Sequence, residues 1–312
     1  MDSPLILDVD TGIDDAVAIA LALAHGANLI GVTTVAGNVP VEAATRNSLD
    51  VLAWLGRPDI KVHRGASRPL VATYHDASHV HGGNGLGDWS PPESPAPEAP
   101  LPGPAFILQS AERHAGDLVL VTLGPLTNLA IAMNVRPGIV EQVGRVVVMG
   151  GAYFTPGNVT PHAEFNVFVD PDAAAHVFSA PWSDITLIGL DVTHQVAFPR
   201  SAWGQLPDGM DGAAGLAQRV MARTFTGRGM PGFYLHDPLA VAVALDPSLI
   251  AGELAEVSVV SSGDERGKTV AALATPGPMV ATQVDAIRFL GELGVALNVG
   301  DVAAGAGLAD AE

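Results

Sequence analysis

Seven short apolar runs recur along the chain, and helix-like stretches separate them. In order they are LILDV, LIGVTTVA, IKVHRG, DLVLVTL, RVVVMG, DITLIGL and AEVSVV. Strands that alternate with helices are typical of βαβ units on a mostly parallel sheet. Several runs are apolar throughout, as expected of strands that helices cover on both faces. The pattern therefore predicts an α/β fold with an open, mostly parallel, doubly wound β-sheet flanked by helices.

One segment departs from this pattern. Residues 90–104, SPPESPAPEAPLPGP, contain too many prolines for a helix or a central strand. The alternation of strands and helices resumes directly afterwards, so we interpret the segment as a surface loop and not as a boundary between domains. A chain of 312 residues, 48% of them hydrophobic, has enough apolar side chains for one large core. We expect a single domain over residues 1–312.

The charge and the absence of cysteine exclude several classes of function. The chain has 15 Lys and Arg against 33 Asp and Glu, a formal net charge of -18 at pH 7. This field repels phosphate backbones and anionic headgroups, so we expect neither nucleic acid nor a membrane as a partner. Without cysteine there are no disulfides, no thiolate catalysis and no cysteine-bound zinc, which suits a cytoplasmic protein. We also expect neither a signal peptide nor a membrane span.

Four aspartates crowd one short segment, LILDVDTGIDDA. Asp8 and Asp10 fall at the end of the first predicted strand, and Asp14 and Asp15 fall in the first turn of the helix after it. The carboxyl ends of strands are where open α/β sheets bind ligands. Attraction to the helix dipole explains one or two of these acidic residues. It does not explain why Asp10 lies close to them, where the negative charges repel one another. A hard divalent cation with oxygen ligands, Ca²⁺ or Mg²⁺, would offset the repulsion.

The same opening has a second interpretation. DVDTG also fits the Asp-x-Asp-x-Thr motif of haloacid-dehalogenase-like phosphatases, in which Asp8 would be the nucleophile and Asp10 the acid/base. That class also needs a lysine for the phosphoryl charge. The two lysines of this chain are Lys61 and Lys268, and neither has the surroundings expected of that motif. We keep the phosphatase as an alternative.

Further polar residues interrupt the apolar pattern downstream. Asn38 in TTVAGNV follows the second strand, where a Gly-Asn pair is also typical of a turn. His81 in VHGGNGLGD is either a ligand contact or an ordinary surface histidine. VTLGPLTNLA ends a strand at Leu123 and begins a helix with proline near its first position. His236 and Asp237 in LHDPLAVAVALDPSLI precede a helix, where N-capping alone would explain the aspartate.

The segment richest in such residues is MGGAYFTPGNVTPHAEFNVFVDPDAA, residues 149–174. It places Asn158, Glu164 and Asn166 among Val, Phe and Ala side chains. Buried polar groups need hydrogen-bond partners, and a sugar hydroxyl offers both a donor and an acceptor. The alternative is a polar loop followed by a helix that Asp170 caps. We favour a sugar-binding segment.

Taken in this order, the motifs resemble those of the nucleoside hydrolases, in particular the calcium-dependent, inosine-uridine preferring type. The resemblance covers about residues 5–250, and its most specific parts are DVDTGIDDA and AEFNVFVDP. It implies hydrolysis of the N-glycosidic bond of a ribonucleoside to ribose and a free base, as in purine or pyrimidine salvage, through an oxocarbenium-like transition state. It also implies a homodimer or a homotetramer.

The resemblance assigns roles to individual residues. Ca²⁺ would be held by Asp10, Asp15, Asp237 and the main-chain carbonyl of Leu123. Asp10 would also be the general base that takes a proton from the attacking water. A larger set would bind the ribonucleoside: Asp14 at the 2′-hydroxyl, Asn158 and Glu164 at the 5′-hydroxyl, Asn166 at the 3′-hydroxyl, Met149 along the sugar, Asn38 in the active site, His81 near the base, and His236 as the proton donor to the departing base.

Two matters stay open at this point. A calcium-dependent nucleoside- or sugar-binding protein with the same pocket is the non-enzymatic alternative. Asp10 argues against it, because binding alone needs no base beside a water. The preference for purine or pyrimidine is undecided as well. Residues 223–234, RTFTGRGMPGFY, are rich in glycine and match no pattern, although this region covers the base in the family that the chain resembles.

Overall fold

A central β-sheet organises the chain in the computed structural model, which describes residues 2–207, 209–299 and 302. The strands are β1 (Pro4–Val9), β2 (Asn28–Thr34), β3 (Val62–Arg64), β4 (Val119–Thr122), β5 (Arg145–Met149), β6 (Ile185–Ile188), β7 (Ala197–Pro199), β8 (Gly232–Tyr234), β9 (Ile250–Val259), β10 (Thr269–Leu273) and β11 (Met279–Val284). Each of the seven apolar runs picked out in the sequence overlaps one of these strands.

Helices fill most of the connections between strands. They are α1 (Ile13–Ala24), α2 (Val41–Trp54), α3 (Ser78–His81), α4 (Gly103–Arg113), α5 (Thr127–Val135), α6 (Phe165–Val169), α7 (Pro171–Phe178), α8 (Leu190–Thr193), α9 (Arg200–Trp203), α10 (Gly212–Val220), α11 (His236–Leu245) and α12 (Ala286–Ala296). Short 3₁₀ turns occupy Pro137–Glu141 and Pro247–Leu249, and a π-helical turn occupies Arg223–Gly227. Within the described ranges, no helix is both long enough and apolar enough to cross a membrane.

The sheet is mostly parallel, as the sequence predicts. Nine strands are hydrogen-bonded in the order β10-β9-β11-β6-β5-β4-β1-β2-β3. All neighbours from β11 to β3 run parallel, whereas β9 pairs antiparallel with both β10 and β11. The chain order reverses at β1, which lies between β2 and β4. In open α/β sheets such a reversal opens a crevice at the carboxyl ends of the strands, and ligands bind there.

Helices cover both faces of this sheet. Leu5 and Leu7 of β1 belong to one hydrophobic cluster and Ile6 to another, and all three side chains are fully buried. Since alternate residues of a strand point to opposite faces, β1 is buried on both. One cluster includes side chains from α1, α10, α11 and α12, and the other includes side chains from α4, α5 and α7. The doubly wound architecture is therefore confirmed.

The proline-rich segment has no helix or strand over residues 90–102, but α4 already begins at Gly103. Gly103 and Pro104 thus belong to the helix, because proline is well tolerated in a first helical turn, where its missing N–H costs no hydrogen bond. The segment is not purely a surface loop. Ser94 is buried, and its main-chain N–H donates to Asp50 Oδ1 at 2.6 Å.

Candidate active site

Buried carboxylates gather at the carboxyl end of β1, close to the reversal in strand order. Asp10 directly follows β1, Asp14 and Asp15 lie in the first turn of α1, and Asp237 lies in the first turn of α11. Carboxylate oxygens of Asp14, Asp15 and Asp237 all lie within 4.8 Å of one another. Main-chain N–H groups of Gly12 and Asp10 hold Asp15 in place, at 2.7 Å to Oδ2 and 3.2 Å to Oδ1.

The cluster carries more negative charge than its protein surroundings offset. Burial, followed by repulsion from Asp15, raises the pKa of Asp14 to about 8 and that of Asp10 well above its usual range. Burial also raises the pKa of Asp15, and burial with repulsion from Asp14 raises that of Asp237. Within the described part of the chain, no lysine or arginine forms an ion pair with any of the four.

One oxygen in the cluster lacks a partner altogether. Asp14 Oδ1 is buried and accepts no hydrogen bond from any described residue, and His81 Nδ1 stays 3.9 Å away. A buried carboxylate oxygen in this situation is costly unless a cation or a ligand hydroxyl reaches it. Several carboxylates with no amine among them form a donor set that suits a hard divalent cation. The residues present therefore fit a metal ion.

Asn38 ties the acidic residues together. Its main-chain N–H donates to Asp10 Oδ2 at 2.6 Å, and its side-chain amide donates to Asp10 Oδ1 at 3.1 Å and to Asp15 Oδ2 at 3.2 Å. Glycine is required just before it, because a Cβ on Gly37 would collide with Asp10 Oδ2. Glycine followed by asparagine at these positions therefore makes room for the Asp10 carboxylate and supplies its hydrogen-bond donors. Asp10 lies next to the group of three carboxylates but not in it, although the sequence predicts it as a metal ligand.

A cavity of about 310 Å³ opens above the cluster. Ten of the twelve predicted site residues line it: Asp14, Asn38, His81, Leu123, Met149, Asn158, Glu164, Asn166, His236 and Asp237. The other two, Asp10 and Asp15, are fully buried and do not line the cavity. A second cavity of about 330 Å³ opens beside Arg145 and Trp182 and holds none of the predicted residues. The chemistry-bearing side chains therefore converge on the first cavity.

Glu164 also has a structural role that was not predicted from the sequence. Its Oε1 accepts the main-chain N–H of Asn166 at 2.8 Å, and its Oε2 accepts those of Val167 at 3.1 Å and Gly151 at 3.0 Å. The side chain therefore caps α6 at its N-terminus. A 5′-hydroxyl can use only the acceptor capacity that these bonds leave. Nearby Asn158 accepts the N–H of Phe165 at 3.0 Å through Oδ1.

Asn166 joins the sugar-binding segment to the carbonyl predicted as a metal ligand. Its side-chain amide donates to Leu123 O at 2.7 Å and to Met149 O at 3.2 Å. A carbonyl oxygen has two lone pairs, so Leu123 keeps one for a further partner. Asn166 Oδ1 accepts no hydrogen bond within the described residues, which leaves it available to a ligand in the cavity.

The surroundings of two histidines on the cavity wall favour the uncharged form. His81 Nδ1 accepts the main-chain N–H of Ile13 at 3.0 Å, which leaves the proton on Nε2. Burial lowers the pKa of His81 to about 3. Burial, with smaller contributions from His194 and His81, also lowers the pKa of His236 to about 3. A proton-bearing His236 at neutral pH, as predicted from the sequence, is therefore not favoured, because the charged ring is desolvated in this position.

Asp8, the nucleophile in the phosphatase interpretation, is not accessible to a substrate. Asp8 is fully buried and lies off the cavity wall. Its Oδ1 accepts hydrogen bonds from Thr33 Oγ1 at 2.5 Å and Asn128 Nδ2 at 2.7 Å. A side chain enclosed in this way has no access to a phosphomonoester. Asp8 instead connects β1 to β2 and α5 below the site.

No individual residue of one cavity wall was assigned from the sequence, although the resemblance implied that residues 223–234 cover the base. Residues of the glycine-rich region that line it are Thr224, Arg228, Met230, Gly232, Phe233 and Tyr234. Their positions depend on a π-helical turn and on the short antiparallel pair of β7 and β8. Neither feature has a periodic sequence signal. The signal for this wall was the resemblance to the family, since the segment itself matches no pattern.

Comparison with known proteins points to one family. The model of the inosine-uridine preferring nucleoside hydrolases matches residues 5–291. The chain is 37% identical to "Probable uridine nucleosidase 2" of Arabidopsis thaliana, over 85% of this chain and 84% of the relative. It is 38% identical to the "Inosine-uridine preferring nucleoside hydrolase" of Leishmania major, over 93% and 95% of the two chains. The solved "Purine-Preferring Ribonucleoside Hydrolase from Gardnerella vaginalis" superimposes with a TM-score of 0.88 at 37% identity, covering 96% of this chain and 99% of that one.

Proposed function

Because the chain belongs to the inosine-uridine preferring nucleoside hydrolase family, we propose that it hydrolyses the N-glycosidic bond of ribonucleosides to ribose and a free base. One observation carries the proposal. Three buried carboxylates, from Asp14, Asp15 and Asp237, converge at a cavity that is lined both by hydrogen-bonding side chains, which suit a sugar, and by aromatic and histidine side chains, which suit a base.

We infer that the cluster takes Ca²⁺. Its donors are carboxylates and a main-chain carbonyl, which are hard oxygen ligands. Asp15 and Asp237 would hold the ion, together with Leu123 O and either Asp10 or Asp14. When bound, the cation supplies a Lewis acid that lowers the pKa of a water molecule and orients it. The raised pKa values of the carboxyls follow from the same burial that would make the cation bind tightly.

The chain's own residues complete the reaction. Asp10 is buried beside the cluster, and each of its oxygens accepts one hydrogen bond from Asn38, which leaves a lone pair on each. We assign Asp10 as the general base that accepts the proton of the attacking water. Asp14 accepts a hydrogen bond from the 2′-hydroxyl through its unpartnered Oδ1. The concentration of negative charge below the sugar stabilises the positive charge that develops in an oxocarbenium-like transition state. Asn158, Glu164 and Asn166 hold the remaining hydroxyls.

Neutral side chains would contact the base. His81 carries its proton on Nε2 and can donate it to a hydrogen bond without being charged. His236 Nδ1 lies 2.7 Å from Thr193 Oγ1, which fixes the orientation of its ring. We propose that His236 contacts the base as a neutral hydrogen-bonding partner and not as a protonated acid. Phe233 and Tyr234 add apolar surface for the planar ring.

Ribose release tests the reaction. The purified protein is incubated with inosine, adenosine, guanosine, uridine and cytidine, with and without a calcium chelator, and reducing sugar is measured. We expect release that the chelator abolishes and added Ca²⁺ restores. Asp237→Asn should abolish release, whereas Asp264→Asn, at an exposed position, should not. Binding of Ca²⁺ and a riboside without any ribose release would instead identify a binding protein.

Organisation of the whole protein is part of the proposal. Nine strands between residue 4 and residue 284 form one continuous sheet, which supports a single domain over residues 1–312. By analogy with the family we propose a cytoplasmic homodimer or homotetramer acting in nucleoside salvage. Light scattering of the purified protein measures the assembly. A monomer at working concentration would contradict it.

A further inference from the structure

The short helix that carries Asn166 is bonded at its C-terminal end by a side chain from a distant part of the chain. Arg266 lies in the connection between β9 and β10. Its Nε and Nη2 atoms both donate to the main-chain oxygen of Phe168, at 3.1 Å and 2.6 Å, and its guanidinium carbon lies 4.2 Å from the centroid of the Phe168 ring. The last carbonyls of a helix lack partners within the helix, so Arg266 satisfies an acceptor that α6 cannot pair itself.

A helix as short as α6 depends on such external contacts. It has five residues, and helices of this length are not stable in water by propensity alone. Glu164 accepts the main-chain N–H groups of Asn166 and Val167 in the first turn, and Arg266 bonds the last turn. Asn166 lies between these two contacts, so its position is fixed from both ends of the helix.

The connection that carries Arg266 is itself fitted to the sugar-binding segment. Gly267, the next residue, has a φ of 81°, and a Cβ at this position would lie 2.8 Å from Phe168 Cα. Glycine thus allows the two backbones to approach each other. Thr269 Oγ1, at the start of β10, accepts the N–H of Ala152 at 3.0 Å and donates to Ala152 O at 2.7 Å. The backbone that presents the guanidinium to α6 is therefore anchored directly beside it.

We propose that Arg266 is a positioning residue for the ribose site. It lies off the cavity wall and acts through Phe168 on α6, and thereby on Asn166. Two contacts depend on where Asn166 is placed: its amide donates to Leu123 O, and its Oδ1 is open to a sugar hydroxyl. This inference rests on the proposed function.

A purely structural role would have a different signature. If Arg266 only stabilised the fold, its loss would lower the unfolding midpoint, and any loss of activity would not depend on the side chain at position 166. A residue that acts through Asn166 has a coupled effect, because displacing α6 has no further consequence once the Asn166 amide is absent. A double-mutant cycle distinguishes the two roles.

Arg266→Met is the test variant, because methionine keeps an unbranched side chain beside Phe168 and lacks the donors. In saturating Ca²⁺ we expect KM for inosine to rise about threefold to tenfold, while kcat changes by less than about twofold. In an Asn166→Ala background the same substitution should change KM by less than about twofold. Arg266→Lys keeps the charge and can still donate to one acceptor, so it should recover part of the loss.

Lys268→Met is the matched control. It removes a positive charge from the same connection, where the ammonium pairs with Glu265 at 2.7 Å. It should leave KM and kcat for inosine unchanged. Thermal unfolding shows whether each variant is folded at the assay temperature. If Arg266→Met is not, Arg266→Lys replaces it in the cycle, and its rise in KM should again disappear in the Asn166→Ala background.

Two results would overturn the inference: an unchanged KM in the folded variant, or an equal rise in KM with and without the Asn166 amide. A wild-type protein that releases no ribose would refute the proposed function instead. Calorimetric titration with inosine then decides about Arg266. Weaker binding by Arg266→Met that disappears in the Asn166→Ala background supports the positioning role, and any other result, including no binding at all, refutes it.

Discussion

Asn166 donates its side-chain amide to the main-chain oxygen of Leu123 at 2.7 Å, so a residue assigned to the ribose also orients a carbonyl assigned to the metal. Asn166 therefore has two functions that a binding assay can separate. Asn166→Ala should raise KM for inosine by about tenfold or more through the lost 3′-hydroxyl contact. It should also weaken Ca²⁺ binding by about threefold to tenfold, because the carbonyl loses the bond that fixes it.

Calcium titration of the riboside-free protein measures the second effect. Asn134→Ala, on the exposed face of α5, is the matched control and should leave both quantities unchanged. Full calcium affinity in Asn166→Ala, with KM raised, would show that the amide serves the sugar alone.

Removing the 2′-hydroxyl should cost far more than one ordinary contact. Asp14 Oδ1 would then be left buried without a partner in the complex. We expect kcat/KM for 2′-deoxyinosine to lie about 100-fold or more below that for inosine, because a site built around a hydroxyl rejects the analogue that lacks it. Asp14→Ala should narrow the ratio between the two substrates while lowering both rates. Equal rates for the wild-type protein on the two nucleosides would contradict the assignment.

Stability should depend on pH and calcium together. The pKa of Asp14 is about 8 in the folded protein, against about 3.9 in an unfolded chain. The folded state thus binds more protons between these values, and the free energy of unfolding contributed by Asp14 falls as pH rises from about 4 to 8. Calcium should restore stability at pH 8 and act weakly at pH 5, where protons compete for the carboxyls.

Thermal unfolding of wild type and Asp14→Asn at pH 5 and pH 8 checks this. Without calcium, the asparagine variant should be more stable than wild type at pH 8 by a wider margin than at pH 5. The same margin at both pH values would mean that Asp14 is not desolvated as its position indicates.

His81 and His236 should stay neutral over the whole physiological range. Burial lowers the pKa of each to about 3, so neither ring should titrate between pH 5 and 8. Nitrogen-15 NMR of labelled histidine side chains should show His81 protonated on Nε2 only, since its Nδ1 accepts the N–H of Ile13. In urea both rings should titrate near pH 6.5. A titration of His236 near neutral pH in the folded protein would restore it as the acid for the departing base.

The sequence predicts the sheet and most of the site for a simple reason. Strands buried on both faces are apolar throughout, so β1, β4 and β5 stand out from the chain. β8, which is short, and β10, which lies at an edge of the sheet, have no continuous apolar run, and the sequence does not predict them. Likewise, polar side chains that end parallel strands must meet at one edge of the sheet, which brings Asp10 to Asn38.

Other features depend on contacts that no local pattern encodes. The Glu164 carboxylate accepts hydrogen bonds from three main-chain N–H groups, and the one from Gly151 comes from a different part of the chain. The lowered pKa of His236 follows from burial in the folded protein and from His194 and His81, which come from other parts of the chain. Thr224 enters the site through a π-helical turn, and a turn of that kind is fixed by tertiary packing. Local sequence therefore indicates which residues are available, and packing decides their ionisation and their partners.

The packing of α1 against α11 has a consequence for synthesis. Asp237 leaves the ribosome more than two hundred residues after Asp14 and Asp15. A nascent chain that ends at α10 thus contains two of the three carboxylates. A cation bound to all three would link α1 to α11. Full binding of the cation therefore requires that α11 has packed against α1. A truncated chain that lacks α11 also lacks Asp237 and should not bind the cation in this way.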